Sequence, residues 1–209
     1  MNSEIRQDRL TKRKDEILAE ATQLFAGHGY ARAKVDDLAL RLGVGKGTIY
    51  RYFPTKEALF LAAVDNAMEG LHQAMVDATQ GIEDPFRKIE AAIQAYLAFF
   101  DANLHLIEIF VHERAEFRDR NTPTYLVYRD KHITNLERLL AELKDQGLVM
   151  NVDVKTTAGI LGDTIYGTVH THFLRGGRSS LRKLAPLIAN VFFEGILTPA
   201  GKAARNRKG

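Results

Sequence analysis

Apolar residues recur along this chain at intervals of three and four, and no stretch alternates apolar with polar as a half-buried strand would. Ile17, Ala21, Leu24, Phe25 and His28 share one helical face, and Gly27 and Gly29 close it. Val35, Leu38, Ala39 and Leu42 repeat the pattern over a short helix ended by Gly43. Gly45–Phe53 reads as a third short helix stopped by Pro54, with Thr55 capping a long helix over roughly 56–80. Asp84-Pro85 and Thr122-Pro123 are helix starts, since a proline at the first helical position gives up an N–H that has no partner there anyway. They predict helices over Phe86–Phe100 and around Leu104–Arg114, then one of about 24 residues closed by Gly147. Asp153–Arg175 follows, stopped by Gly176-Gly177. A last helix runs from Ser179 or Ser180 to about Gly195, with Thr198-Pro199 ending it. Pro186 lies inside that span, so the helix either starts later or is kinked. The expectation is an all-α chain of about nine helices with no sheet and no internal repeat.

Several functions are disfavoured at the outset. With no Cys there is no disulfide, no thiol nucleophile and no Cys-ligated zinc. No window approaches the ~18 apolar residues of a membrane span, and the first residues carry charges without an apolar signal core. We therefore expect a cytoplasmic protein with no membrane partner. The net charge of +3 is unevenly spread. Residues 1–56 hold 11 Lys and Arg against 7 Asp and Glu, residues 57–200 hold 14 against 19, and residues 201–209 hold four against none. A basic head on an acidic body suits a polyanion bound at one end.

Residues 35–53, VDDLALRLGVGKGTIYRYF, have the layout of a helix-turn-helix: a short amphipathic helix, a tight turn at Leu42-Gly43-Val44, and a second short helix. Leu38, Ala39, Leu42, Val44, Ile49 and Phe53 supply its small core, and Gly43 permits the positive φ such turns often need. Lys46, Thr48, Tyr50, Arg51 and Tyr52 are left to face outward. They form a surface of donors, one thymine-methyl contactor and two cations, without an acid, as a major-groove edge flanked by phosphates requires. Short glycine-punctuated hairpins also occur in all-α proteins that bind no DNA, and it is the basic and aromatic free face that favours DNA here.

These residues carry a resemblance. Phe25-Ala26-x-x-Gly29-Tyr30, Val35-Asp36-Asp37-Leu38-Ala39 and the run from Gly43 through Phe60 are similar to the tetracycline-repressor (TetR) family signature, continuously over about 45 residues. The resemblance implies a three-helix DNA-binding head over residues 1–56, a helical-bundle ligand-sensing and dimerisation domain over 57–200, and a basic tail over 201–209 that we expect to be disordered. It implies base or adjacent phosphate contacts at Lys46, Gly47, Thr48 and Tyr50, and phosphate anchors at Tyr52 and Lys56. Two positions depart from the family pattern: Gly45 stands where Ser is common, and Lys34 where Thr often caps the second helix. Together with Arg51, these residues are the candidate DNA-binding set. The implied partners are a double-stranded operator, a small-molecule effector and a second copy of the chain, with no cofactor and no catalytic residue.

In the body, the resemblance puts the dimer seam on the last two long helices, with Gly159, Gly162 and Gly167 as close-approach points and Leu184, Leu187, Ile188, Val191 and Gly195 along the final helix. Candidate pocket residues are Tyr96, Phe99, Phe100, Tyr125, Tyr128, Asp163, Tyr166 and His170, the polar or aromatic side chains on otherwise apolar faces. Asp163, Tyr166 and His170 share a helical face. A buried Asp163 would need a partner, in the pocket, across the seam, or in an Arg such as Arg114. His105, Glu108 and His112 also share a face, but without a tight ligand motif such as HExxH they read as a solvated polar surface, and no metal is expected. The competing reading is an enzyme or metal-binding helical bundle. It lacks a nucleophile motif, a phosphate loop and a metal signature, and it has no use for the cationic face at Lys46–Lys56.

Overall fold

The computed structural model describes residues 2–206, with side chains from Gln7 onward. Among the described residues ten α-helices follow one another: α1 (Asn2–Arg32), α2 (Val35–Arg41), α3 (Lys46–Tyr52), α4 (Lys56–Thr79), α5 (Pro85–Ala102), α6 (Leu106–Glu116), α7 (Thr124–Asp145), α8 (Val154–Leu174), α9 (Ala185–Ile196) and α10 (Pro199–Asn206). A 3-10 turn at Leu181–Leu184 precedes α9. The described residues contain no strand, and Val149 and Leu197 form one isolated antiparallel bridge. The fold is all-α.

Local chemistry sets most boundaries. The Thr55 Oγ1 accepts from the Ala58 N–H at 2.9 Å, the Asp84 carboxylate from Arg87 N–H at 3.0 Å ahead of Pro85, and the Asp153 carboxylate from Thr156 N–H at 3.0 Å. Each satisfies an amide that the helix leaves without a partner, worth about 1 kcal/mol. Pro186 falls in the first turn of α9, so the later start is the correct alternative.

The chain divides into two compact units. One runs up to Gly70 and takes in His105–Tyr125; the other comprises Leu71–Leu104 and the chain from Leu126 onward. The division falls within α4, and Leu59, Phe60, Ala63 and Val64, which belong to the first unit, are buried. Phe60 lies at its centre, 5.0 Å edge-on from Phe25, 5.1 Å from Tyr30 and 5.4 Å in a stack from Phe117. Two further features lock this unit. Gly29 (φ 72°) breaks α1, and a Cβ there would lie 2.8 Å from the His112 ring of α6. Glu113 of α6, only 2% exposed, accepts from Thr124 N–H at 3.0 Å, Thr124 Oγ1–H at 2.7 Å and Arg120 Nη1 at 2.6 Å. One helix thus caps the start of another.

In the second unit, α5 packs against α9 and the 3-10 turn, with Phe86 edge-on to Phe193 at 5.5 Å. Asp101 ties that turn down by accepting from Ser180 Oγ at 2.7 Å and Leu181 N–H at 2.8 Å. Residues 201–206 correct the expectation of a disordered tail, because they lie in α10 (Pro199–Asn206). Thr198 Oγ1 caps it by accepting from Gly201 N–H at 3.0 Å, and Gly201 packs so closely on the Leu148 carbonyl that a Cβ would lie 1.9 Å from its oxygen. Arg205 donates to Glu90 at 2.8 Å and Asn190 at 2.6 Å, with its guanidinium 4.7 Å from the centre of the Phe193 ring. A short basic segment orders here because its partners come from distant parts of the chain. Residues 207–209 of the expected tail lie outside the described residues.

His72 of α4 and His132 of α7 face one another in the second unit, Nδ1 to Nε2 at 3.1 Å, with rings 16° from parallel. Burial, with His72 and Lys131 nearby, lowers the His132 pKa to about 4. A histidine kept neutral when folded takes up its proton more readily on unfolding, so protons favour the unfolded chain. This contribution is therefore complete above pH ~6.5 and is lost as pH falls towards about 4. After allowance for water reaching this half-buried ring, we expect a loss of about 2 kcal/mol over that window. Urea melts at a series of pH values should record it, and His132→Phe should flatten that part of the curve.

Candidate nucleic-acid interface

The turn between α2 and α3 is built by backbone bonds. Leu42 N–H donates to Leu38 O at 3.1 Å, Gly43 N–H to Leu40 O at 3.2 Å and Val44 N–H to Ala39 O at 3.0 Å, with Gly43 at φ 63°. Leu38, Ala39, Ile49 and Phe53 are buried as expected, while Leu42 and Val44 are half-buried. Burial of Ile49 fixes the rotation of α3 and turns its other side outward. Gly45, Lys46, Gly47 and Arg51 are exposed; Thr48, Tyr50 and Tyr52 are half-exposed with polar tips. Lys34 is exposed at the N-cap of α2 and makes no side-chain cap bond, so it does not do the work of a capping Thr.

Two candidate cations have partners that the spacing did not reveal. Lys46 Nζ lies 2.8 Å from the Asp36 carboxylate of α2, and that hydrogen bond raises its pKa. The free face is therefore not wholly acid-free, and the ion pair must open or shift for Lys46 to reach a phosphate. Lys56 donates to the Ala31 carbonyl at 3.3 Å and sits 4.7 Å from the Tyr30 ring centre, half-buried. Burial lowers its pKa, and the nearby Glu116 works against that shift. Arg51 stacks beside Tyr52 at 5.4 Å.

The candidate pocket residues separate. Tyr125 belongs to the first unit, where its ring is 6.3 Å from Phe110. The others belong to the second. Tyr96 and Phe100 are buried and Phe99 half-buried on α5. On α8, which packs against α5, Tyr166 and His170 rings are 3.9 Å apart. Burial raises the Tyr166 pKa and lowers that of His170. Tyr128 is buried beneath Lys131, 4.8 Å from its ring centre. Asp163 is not buried: its side chain is 73% exposed and takes an ion pair from Arg129 at 2.5 Å. Arg114 is not the partner. At Gly162 a Cβ would meet Ile133 of α7 at 2.6 Å, so this glycine serves close packing of α8 on α7 within the chain.

The histidines of the first unit are also separately engaged. His105 Nε2 is 3.0 Å from Gln23 Nε2, and His112 is 3.9 Å from Glu108 and lies over Gly29. Among the described residues no three His, Cys, Asp or Glu side chains converge as a metal site, and no helix is long and apolar enough to cross a membrane.

A three-helix head with a solvent-facing α3, followed by a larger helical unit, defines a helix-turn-helix protein. Residues 17–63 match the family model for bacterial regulatory proteins of the tetR family, a segment that includes the whole helix-turn-helix. The HTH-type transcriptional activator FasR of Mycolicibacterium smegmatis is 33% identical over 94 residues, 43% of this chain and 41% of FasR. The chain thus spans about two fifths of that relative. The nucleoid occlusion factor SlmA of Aliivibrio fischeri is 27% identical over 177 residues, covering 83% of this chain and 88% of SlmA. Among solved structures, the transcriptional regulator FadR from Bacillus subtilis in complex with stearoyl-CoA has a TM-score of 0.72 at 21% identity, covering 87% of this chain and 98% of that one, a likeness of fold.

Proposed function

We propose that this protein is a cytoplasmic repressor that binds a near-palindromic operator as a dimer and leaves it when a small molecule binds the larger unit. The observation that carries the DNA half is the outer face of α3, where Lys46, Thr48, Tyr50 and Arg51 surround the exposed Gly47. The dimer is supported by large apolar side chains left in water on the last two long helices. These are Ile160 (60% exposed) and Leu174 (81%) on α8, and Leu187 (58%) and Val191 (77%) on α9. The effector reading rests on Tyr96, Phe99, Phe100, Tyr128, Tyr166 and His170, which suit an apolar body bearing one or two hydrogen-bonding groups.

Selection of bound sequences from a random DNA pool tests this. A near-palindrome with half-sites about one helical turn apart, ~34–36 Å or a multiple, is expected. A single asymmetric half-site bound by a monomer would overturn it. On the selected operator, Thr48→Ala should lose preference at one or two base positions, by about 1–3 kcal/mol. Arg51→Ala should weaken all sequences about equally and flatten the salt dependence. The same sequence-selective loss in both variants would refute the division of roles.

A further inference from the structure

We propose that the exposed first part of α1 is a second DNA-contacting element, a basic helical ridge that lies along the phosphate backbone beside α3. This rests on the DNA-binding reading above. Among the residues of α1 whose side chains are described, burial begins at Ile17, yet the helix already runs through the ten preceding residues, every one of them exposed or half-exposed. These residues 7–16 span about 15 Å. Their one large apolar side chain, Leu10, is 38% exposed, so this stretch has no core to serve. A helix that is polar all round gains little stability alone, and its surface is available to a partner.

Its charges are arranged by face. Glu20 accepts from Arg41 of α2 at 3.0 Å, which identifies the side of α1 turned towards the helix-turn-helix. Stepping back by three or four residues along that face meets Glu16, Arg13, Lys12 and Arg9. Glu16 is neutralised by Arg13 at 2.8 Å, while Arg9 and Lys12 have no ion pair among the described residues. Asp8 and Asp15 point more than a quarter-turn away from Glu20. Arg9 and Lys12 therefore add two unpaired cations on the side that carries α2, next to the Arg13–Glu16 and Arg41–Glu20 pairs. Duplex DNA presents one phosphate charge per ~1.7 Å of axis, so a ridge of this length can meet several phosphates. Contacts of this kind add affinity and leave base choice to α3.

The test is the triple variant Arg9→Ala, Lys12→Ala, Arg13→Ala in the full chain, on the operator recovered by selection. Alanine keeps the helix, and a thermal melt checks that the head is intact. The slope of log affinity against log salt should become shallower by about 2–3, so that the loss of affinity between about 50 and 200 mM salt shrinks roughly 16- to 64-fold. Base preferences should be unchanged, and a triple replacement that keeps the charges (Arg9→Lys, Lys12→Arg, Arg13→Lys) should restore the slope. An unchanged slope in the alanine variant, with the parent protein binding its operator, overturns the ridge and leaves the DNA-binding reading standing. A parent protein that selects no DNA overturns that reading itself. A variant that changes base preference places these residues in readout and also refutes the proposal.

Discussion

Glu113→Ala should destabilise the first unit by about 3–4 kcal/mol, although no sequence motif marks this residue. The Glu113 carboxyl group is the acceptor for both the backbone N–H and the hydroxyl of Thr124, which is itself buried. Truncation leaves both donors in a dry site, at about 1–3 kcal/mol each, and opens a void where the side chain was. Arg120 is the lesser loss, because its side chain remains 39% exposed and can return to water. Glu113→Gln keeps an acceptor of the same shape and should cost about half as much. Urea unfolding followed by circular dichroism gives the stability change. Hydrogen exchange at Thr124 locates it, since that amide should lose its protection first. A loss below about 1 kcal/mol in the alanine variant would mean that water replaces the carboxyl group without penalty.

Phe60→Ala should cost about 3–5 kcal/mol, the range for removing a fully buried phenyl ring. The ring is 0% exposed and contacts Phe25 and Tyr30 of α1 and Phe117 just after α6. Phe60→Leu retains most of the volume and should cost about 1–1.5 kcal/mol. The larger truncation has a second readout. Tyr30 rests on Phe60 and carries Lys56 on its other contacts, so loosening Tyr30 should weaken operator binding in molecules that are still folded. Operator affinity of Phe60→Leu and Phe60→Ala, corrected for the folded fraction from the melts, separates the two effects. Equal corrected affinities would show that Lys56 keeps its position without Phe60.

What the sequence disclosed was what neighbouring residues decide among themselves. Thr55, Asp84-Pro85 and Asp153 cap helices within three residues of their own position, and Gly43 makes its turn with Leu40 and Val44. The helix-turn-helix could be read from one continuous stretch for the same reason. Partners far apart along the chain could not be read. Nothing near Gly201 announces Leu148, nothing near Arg205 announces Glu90, and a run of cations with little apolar content resembled a disordered tail. Asp163 was misjudged in another way. Its helix is apolar on average, but the buried side is Ala158, Leu161, Ile165 and Val169, and Asp163 is rotated away from it towards Arg129. Average composition could not say which side met the core. His72 and His132 are 60 residues apart and became a pair only once α4 and α7 were placed.

The seating of α10 also governs the order in which the chain can assemble. Everything the first unit needs has been synthesised by Tyr125, so it can complete its core while the rest of the chain is still being made. The second unit cannot. Glu90 waits for Arg205 across 115 residues, and the Leu148 carbonyl waits for Thr198 and Gly201. Such late, long-range closures are slow, since the loop must close before any contact rewards it. Until α10 docks, Phe193 lacks the guanidinium that covers it, and Leu148–Met150 holds only part of its bonding. The second unit is thus the last part of the chain able to close its core, and until then its apolar side chains stay open to other chains.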